Sequence, residues 1–325
     1  MTIDILVPQY REDDSVARYL FESIAMQQGV NLADVKVIVC NDGSDVHLTD
    51  DFITGWPFKV EYYREEHHGV SATRNACLDR SEADLVMFCD IDDGFYSSLA
   101  LWTIFKVFEK RPETDVYVST FVEELLTPDG TMTYTDHTPD DKVFVHGKVF
   151  KRTYLLENGI RFNPNLTIHE DSYFNRLAQI CTENVFRSDA SFYLWRYRKE
   201  SVCRRDERDK YLLKTFGNLM DTEDALTDEL IRRGKEDAAA ELACCVMYMG
   251  YYTLSQGKWI TEAATSYNRA AQHRLKLYYD KYKNIIADVP VPKQMEISQR
   301  ERGKAVKDGM LMERMGMKTW LNNLR

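Results

Sequence analysis

The chain has 325 residues, 44% hydrophobic and 29% charged, enough to bury a full core in one large domain or two smaller ones. Its formal net charge of −10 argues against a protein that binds nucleic acid over its whole surface. No apolar run spans a bilayer: the best candidate, residues 242–254, is only about thirteen uncharged residues, the length of a buried helix.

Asp4 interrupts the apolar start and no basic segment precedes it, so no cleaved leader is expected. The seven cysteines (Cys40, Cys77, Cys89, Cys181, Cys203, Cys244 and Cys245) lack C-x-x-C spacing and sit mostly in apolar runs. They read as reduced core thiols of a cytoplasmic protein, and support neither a zinc site nor a disulfide framework.

In chain order, Ile3-Asp4-Ile5-Leu6-Val7 predicts a buried parallel strand stopped by Pro8 and feeding a loop through Tyr10. A helical pattern covers 15–27, and a second strand covers 35–40. Strand, helix, strand predicts a right-handed crossover between parallel neighbours. The turn Asn41-Asp42-Gly43-Ser44 sets a carboxylate beside a backbone that a ligand can approach closely, and also reads as a plain turn. A third strand, 59–63, leads to His67-His68-Gly69, where the histidines lack the i, i+4 spacing of helical metal ligands. Gly69 breaks the chain, and Ser71 is the expected cap of a helix with Arg74 in its first turn.

Residues 85–93 are an apolar run ending in Asp90-Ile91-Asp92-Asp93. A strand of this kind delivers carboxylates to the sheet edge where open α/β folds bind ligands. Asp90 and Asp92 form a D-x-D pair of hard oxygen ligands suited to Mg²⁺ or Mn²⁺. The same acids also read as a turn capping the helix that starts near Ser97 and Ser98. A dense apolar helix over 99–108, a strand over 116–120 and the turn Thr127-Pro128-Asp129-Gly130 follow, so a hairpin interrupts the doubly wound pattern and the sheet is mixed. Residues 147–152 read as a short strand running into a helix. A second acidic site, His169-Glu170-Asp171, opens a helix, with Thr167 and Glu170 as a capping box or Asp171 as a general base.

In this order the motifs resemble family 2 glycosyltransferases of the GT-A fold. The resemblance rests on the first strand with Pro8 and Tyr10, Asn41-Asp42-Gly43-Ser44, Gly69-Val70-Ser71-Ala72-Thr73-Arg74-Asn75, Asp90-Ile91-Asp92-Asp93 and Glu170-Asp171. The segment Phe192-Tyr193-Leu194-Trp195-Arg196-Tyr197-Arg198 is similar to the aromatic and basic strand that closes such domains. The resemblance implies a mixed, mostly parallel Rossmann-like sheet over residues 1–203 that takes a nucleotide-sugar donor, expected to be UDP-linked, with Pro8, Tyr10 and Ile91 lining its site. It implies Asp42 at the nucleoside base, Arg74 near the base or diphosphate, and Asp90 at the ribose or metal-bound water. Asp92 would ligate the ion, and Asp171, beside Glu170, would deprotonate an acceptor hydroxyl for inverting transfer. Arg11 stands where the family usually has Asn, Asn41 where it has Asp, and His169 where Gly is common.

Residues 204–325 form a separate region of helical periodicity, with apolar faces at Leu212, Leu213, Phe216, Leu219 and Met220 and at Leu242, Val246, Met249 and Tyr252. A third helix is expected over 259–283. Pro290 and Pro292 read as a linker to a basic last segment, 293–325, because basic residues outnumber acidic ones about two to one after Ala271. That segment reads as a solvated helical face, or as a contact for a partner subunit in an oligomer, an anionic membrane surface or a nucleic acid. Met310, Met312, Met315 and Met317 read as core or interface residues. The competing functions are transfer to hydroxymethylated DNA bases rather than to a carbohydrate or other hydroxyl-bearing acceptor, and sugar-nucleotide binding without catalysis.

Overall fold

The computed structural model describes residues 1–198, 208–254 and 262–307. The chain divides into two compact units, Met1–Ser201 and Val202–Arg325.

The first unit is built on one mixed sheet. Strands β1 (Ile3–Gln9), β2 (Val35–Asp42), β3 (Lys59–Glu65) and β4 (Leu85–Phe88) run parallel in the order β3-β2-β1-β4, with Ile5 beside both Val37 and Met87. Both faces of β1, β2 and β4 are covered, which is why they read as continuous apolar runs. The sheet continues through β8 (Lys148–Lys151), β6 (Val116–Leu126), β9 (Val185–Trp195) and β5 (Gly94–Phe95), and β7 (Met132–Asp136) pairs with β6. The pairs β4–β8, β8–β6 and β5–β9 are antiparallel, whereas β6–β9 is parallel. Helices α1 (Asp14–Ala25), α2 (Asp50–Thr54), α3 (Val70–Arg80), α4 (Ala100–Lys110), α5 (Arg152–Glu157) and α6 (Glu170–Ile180) flank it.

Several expectations are corrected. Pro8 lies inside β1, opposite Cys40, because pairing of β1 with β4 has ended by Leu6 and no partner waits for the missing N–H on that side. Helix α1 starts one residue earlier than expected: the Asp13 carboxylate accepts the Ser15 and Val16 N–H groups. Ser71 does not cap α3; Gly69 holds that position with φ 88°, and the buried Ser71 hydroxyl donates to the Leu166 carbonyl. The acidic run caps no helix, since β5 intervenes and α4 begins at Ala100 after an uncapped Leu99. Helix α6 has His169 at its N-cap without a side-chain cap bond, so the Thr167–Glu170 capping box does not form there.

The second unit comprises α7 (Arg208–Arg232), α8 (Glu236–Leu254), α9 (Glu262–Asp288) and α10 (Val291–Lys307). Leu226, Leu230, Ala243, Met247 and Leu275 are fully enclosed, and α8 comes so near α9 that a Cβ on Gly250 would lie 2.5 Å from the Leu275 side chain. Pro290 and Pro292 make no linker: Pro292 occupies the first turn of α10, where its missing N–H has no helical partner to lose. Among the described residues no helix is long and apolar enough to cross a membrane, and the described cysteines are free thiols. Cys203, Trp259, the last basic residues and Met310, Met312, Met315 and Met317 lie outside the described residues.

Candidate active site

The loop between β4 and β5 carries the acidic run to the C-terminal edge of the parallel strands, and each of its carboxylates has a different partner. Asp90 Oδ1 accepts from Arg74 Nη2 at 2.9 Å. Asp92 Oδ2 pairs with Arg198 Nη1 at 3.0 Å. Asp93 accepts from the Tyr193 hydroxyl at 2.6 Å and the Arg196 N–H at 2.9 Å, while the same hydroxyl accepts the Asp90 N–H. Burial, then repulsion from Asp90, pushes the Asp92 carboxyl above the usual range against the pull of Arg198. Burial and its two acidic neighbours push Asp93 up as well. Ile91 turns its side chain into the core, 3% exposed, and so shapes the loop from beneath.

Arg74 joins the two acidic segments. Its side chain is 4% exposed, and Nη1 donates to Asp171 Oδ1 at 2.6 Å and Glu170 Oε1 at 3.0 Å while Nη2 holds Asp90. The guanidinium lies 5.2 Å from the Phe162 ring, which stacks on Phe174 at 4.1 Å and fixes the floor of the site. One positive charge thus faces three carboxylates in low dielectric. Burial pushes the Asp171 carboxyl up to about 7, with Glu170 and Asp90 adding to the rise and Arg74 opposing it. Asp90 stays below the usual range, because the pull of Arg74, aided by His146, outweighs its burial.

Two basic residues behind the acids were not singled out from sequence. His146 is buried, its Nδ1 lacks a hydrogen-bond partner, and burial pushes its imidazole down to about 3. It stacks between Phe144 and Tyr193, at 5.4 and 4.6 Å. Lys148 is enclosed, donates to the Phe144 carbonyl, and is pushed down to about 8 by burial. In sequence Lys148 belongs to an unremarkable short strand and His146 to the turn before it; the fold alone brings them beside Asp90 and Asp171.

Ligand atoms of Asp90, Asp93 and His146 lie within 4.8 Å of one another, the group of three that the described residues offer a metal ion. Hard carboxylate oxygens with one imidazole nitrogen fit Mn²⁺ or Mg²⁺, and the unpartnered His146 Nδ1 leaves a donor free. Asp92 stands outside that group with Arg198 on its carboxylate.

At the other end of the edge, Asp42 is 4% exposed and accepts the His68 and Gly69 N–H groups at 2.8 and 3.0 Å, with His67 Nδ1 at 2.9 Å. Gly43 permits this: at φ 69° its Cβ would fall 2.6 Å from the His67 nitrogen. Tyr10 is exposed and stacks on His67 at 5.0 Å, with the Arg11 guanidinium 4.9 Å from its ring. Tyr10, Asp42 and His67 therefore form one contact group at the edge, and Arg74, Asp90 and Asp171 another.

Arg11 and His169 are the non-glycine residues with positive φ among the described residues, at 71° and 65°. These are two of the three positions where the sequence departs from the family pattern, and the family's Asn and Gly are the residues that tolerate this backbone. Replacing His169 with Gly is expected to raise unfolding stability by about 1 kcal/mol, the relieved strain exceeding the added chain entropy. An unchanged or lower urea midpoint would count against strain at this residue.

Comparison with known proteins gives a consistent picture. Residues 4–176 match the profile of Glycosyl transferase family 2. A curated relative, glycosyltransferase GlyA of Streptococcus pneumoniae, is 25% identical over 226 residues, which cover 62% of this chain and 31% of GlyA. The chain thus spans about a third of that relative's length. The crystal structure of S. aureus TarS 1-349 superposes with a TM-score of 0.59 at 16% identity, covering 94% of this chain and 92% of that one. The same fragment in complex with UDP-GlcNAc superposes equally well. These likenesses place the sheet and its flanking helices in the GT-A fold. With more than half of its length matched by the profile, and with that fold beneath it, the chain belongs to Glycosyl transferase family 2.

Proposed function

We propose that the protein transfers a sugar from a nucleotide diphosphate-sugar to an acceptor hydroxyl, with inversion and with help from a divalent cation. The observation that carries this reading is the shared guanidinium: Arg74 holds Asp171 and Asp90 together, which supports reading Asp171 as a base beside donor-side acids. The acceptor is proposed to be a carbohydrate or another hydroxyl-bearing molecule. UDP is favoured as the donor nucleotide because the TarS fragment has been crystallised with UDP and with UDP-GlcNAc.

In this mechanism the acceptor oxygen attacks C1 of the donor sugar from the face opposite the diphosphate. The new C–O bond forms as the bond to the diphosphate breaks, and the acceptor proton passes to Asp171 Oδ. Arg74 orients that carboxylate, and Phe162 and Phe174 hold Arg74 in place. A bound Mn²⁺ or Mg²⁺ would be held by Asp90 with Asp93 and His146, and by Asp92 once its carboxylate is released from Arg198, and would supply positive charge to the leaving diphosphate. No protein nucleophile is required.

A panel of nucleotide-sugars with Mn²⁺, scored by thermal protection and by transfer, tests this reading, because a ligand of the native state raises its stability by mass action. Protection by none of them would refute it. Asp92→Ala is expected to abolish metal-dependent donor binding; titration of UDP with and without Mn²⁺ checks this, and unchanged metal dependence would remove Asp92 from the ligand set.

A further inference from the structure

Of the three acids between β4 and β5, Asp92 is the one whose partner reaches in from solvent. Asp90 is tied to the buried Arg74, and Asp93 to Tyr193 and a main-chain N–H. Asp92 is held by the end of Arg198, a side chain 31% exposed whose other anionic neighbour, Glu12, is 3.9 Å away. Arg196, two residues earlier, is anchored differently: its guanidinium lies 3.9 Å from the Tyr19 ring and donates to the Asp92 carbonyl.

We propose that Arg198 is an internal counter-ion that competes with the divalent cation for Asp92, so that metal and nucleotide diphosphate bind cooperatively. The inference rests on the proposed metal-dependent reading. A dication on either oxygen of a carboxylate whose Oδ2 already accepts the Arg198 guanidinium at 3.0 Å sits close to that positive charge and is repelled by it. Metal entry therefore costs Arg198 its partner. The diphosphate brings an anion that Arg198 can turn to, and what the nucleotide does for metal affinity the metal must do equally for nucleotide affinity.

The test is Mn²⁺ binding to the full chain, measured by calorimetry and by the electron paramagnetic resonance of free Mn²⁺, with and without UDP. In the native protein UDP is expected to tighten Mn²⁺ binding about tenfold or more, and Mn²⁺ to tighten UDP equally. Arg198→Ala should bind Mn²⁺ alone about tenfold more tightly than the native chain, and should lose most of the coupling to UDP. Arg198→Gln, which keeps the length without the charge, should behave in the same way, and ligand-free thermal unfolding verifies that both variants are folded. If both folded variants bind Mn²⁺ alone no more tightly than the native chain, while that chain binds Mn²⁺ with UDP, the competition is overturned and the metal reading stands. If the native chain binds no Mn²⁺ even with UDP, the metal reading falls, and the inference with it.

Discussion

Asp171→Asn is expected to lower the transfer rate about a thousandfold and to leave donor binding within a fewfold of the native value. Asparagine keeps the shape and an oxygen that can accept from Arg74 Nη1, but it cannot take a proton from the acceptor. It also removes one of three carboxylates around a single guanidinium, so the fold should not suffer. The pH profile identifies the group. With the Asp171 carboxyl pushed up to about 7, only its ionised form is a base, so the rate should fall roughly tenfold per unit as pH drops below that value and level off above it. In Asp171→Asn that limb should vanish. Single-turnover transfer across pH, with donor affinity measured in parallel, decides the matter, and transfer at the native rate would remove Asp171 from the mechanism.

Arg74→Ala should produce the largest loss of stability, about 3–5 kcal/mol near pH 8, because it leaves three clustered carboxylates without their common partner. The sign of the pH dependence follows from Asp90, which Arg74 helps to hold below its ordinary value of 3.8. A group depressed on folding contributes stability that is fully present above its unfolded pKa and is lost as pH falls through the folded one. The gap between native and variant proteins should therefore be widest at neutral and alkaline pH and shrink as the abandoned carboxylates protonate. Urea unfolding at pH 8 and at pH 3, below the ordinary Asp90 value of 3.8, measures it; a loss below about 1 kcal/mol at pH 8 would mean that the cluster relaxes into water instead.

What could be read from the sequence follows from how each element is stabilised. Strands β1, β2 and β4 are covered on both faces, so their apolar runs were visible directly, and the acids that end β2 and follow β4 were placed at the sheet edge by the parallel topology. Strand β5 was hidden because two residues, Gly94 and Phe95, carry no periodicity. Gly94 is required there because a Cβ would lie 2.7 Å from the Tyr19 ring, a contact between distant parts of the chain. His146 and Lys148 were missed for a similar reason: nothing local marks a histidine or lysine as buried beside carboxylates. Ser71 and the two C-terminal prolines carried correct local signals with the wrong outcome, since a buried tertiary hydrogen bond took one and a helix start took Pro292. By contrast, the departures at Arg11 and His169 fell where the backbone is left-handed.

The separation along the chain of the groups that neutralise the acidic loop has a consequence for biogenesis. Asp93 finds the Arg196 main-chain N–H 103 residues further on and Asp92 the Arg198 guanidinium 106 residues further on, and Arg74 waits 96 and 97 residues for Glu170 and Asp171. During synthesis the parallel strands emerge first, with Arg74 already made for Asp90 but with Asp92 and Asp93 still lacking the partners supplied by β9 and the residues just after it. Contacts at such separation form late, because chain closure must precede them. Docking of β9 should thus be the step at which a nascent chain first becomes able to hold its donor, and any lesion that delays β9 would yield a protein with a formed sheet and an unassembled site.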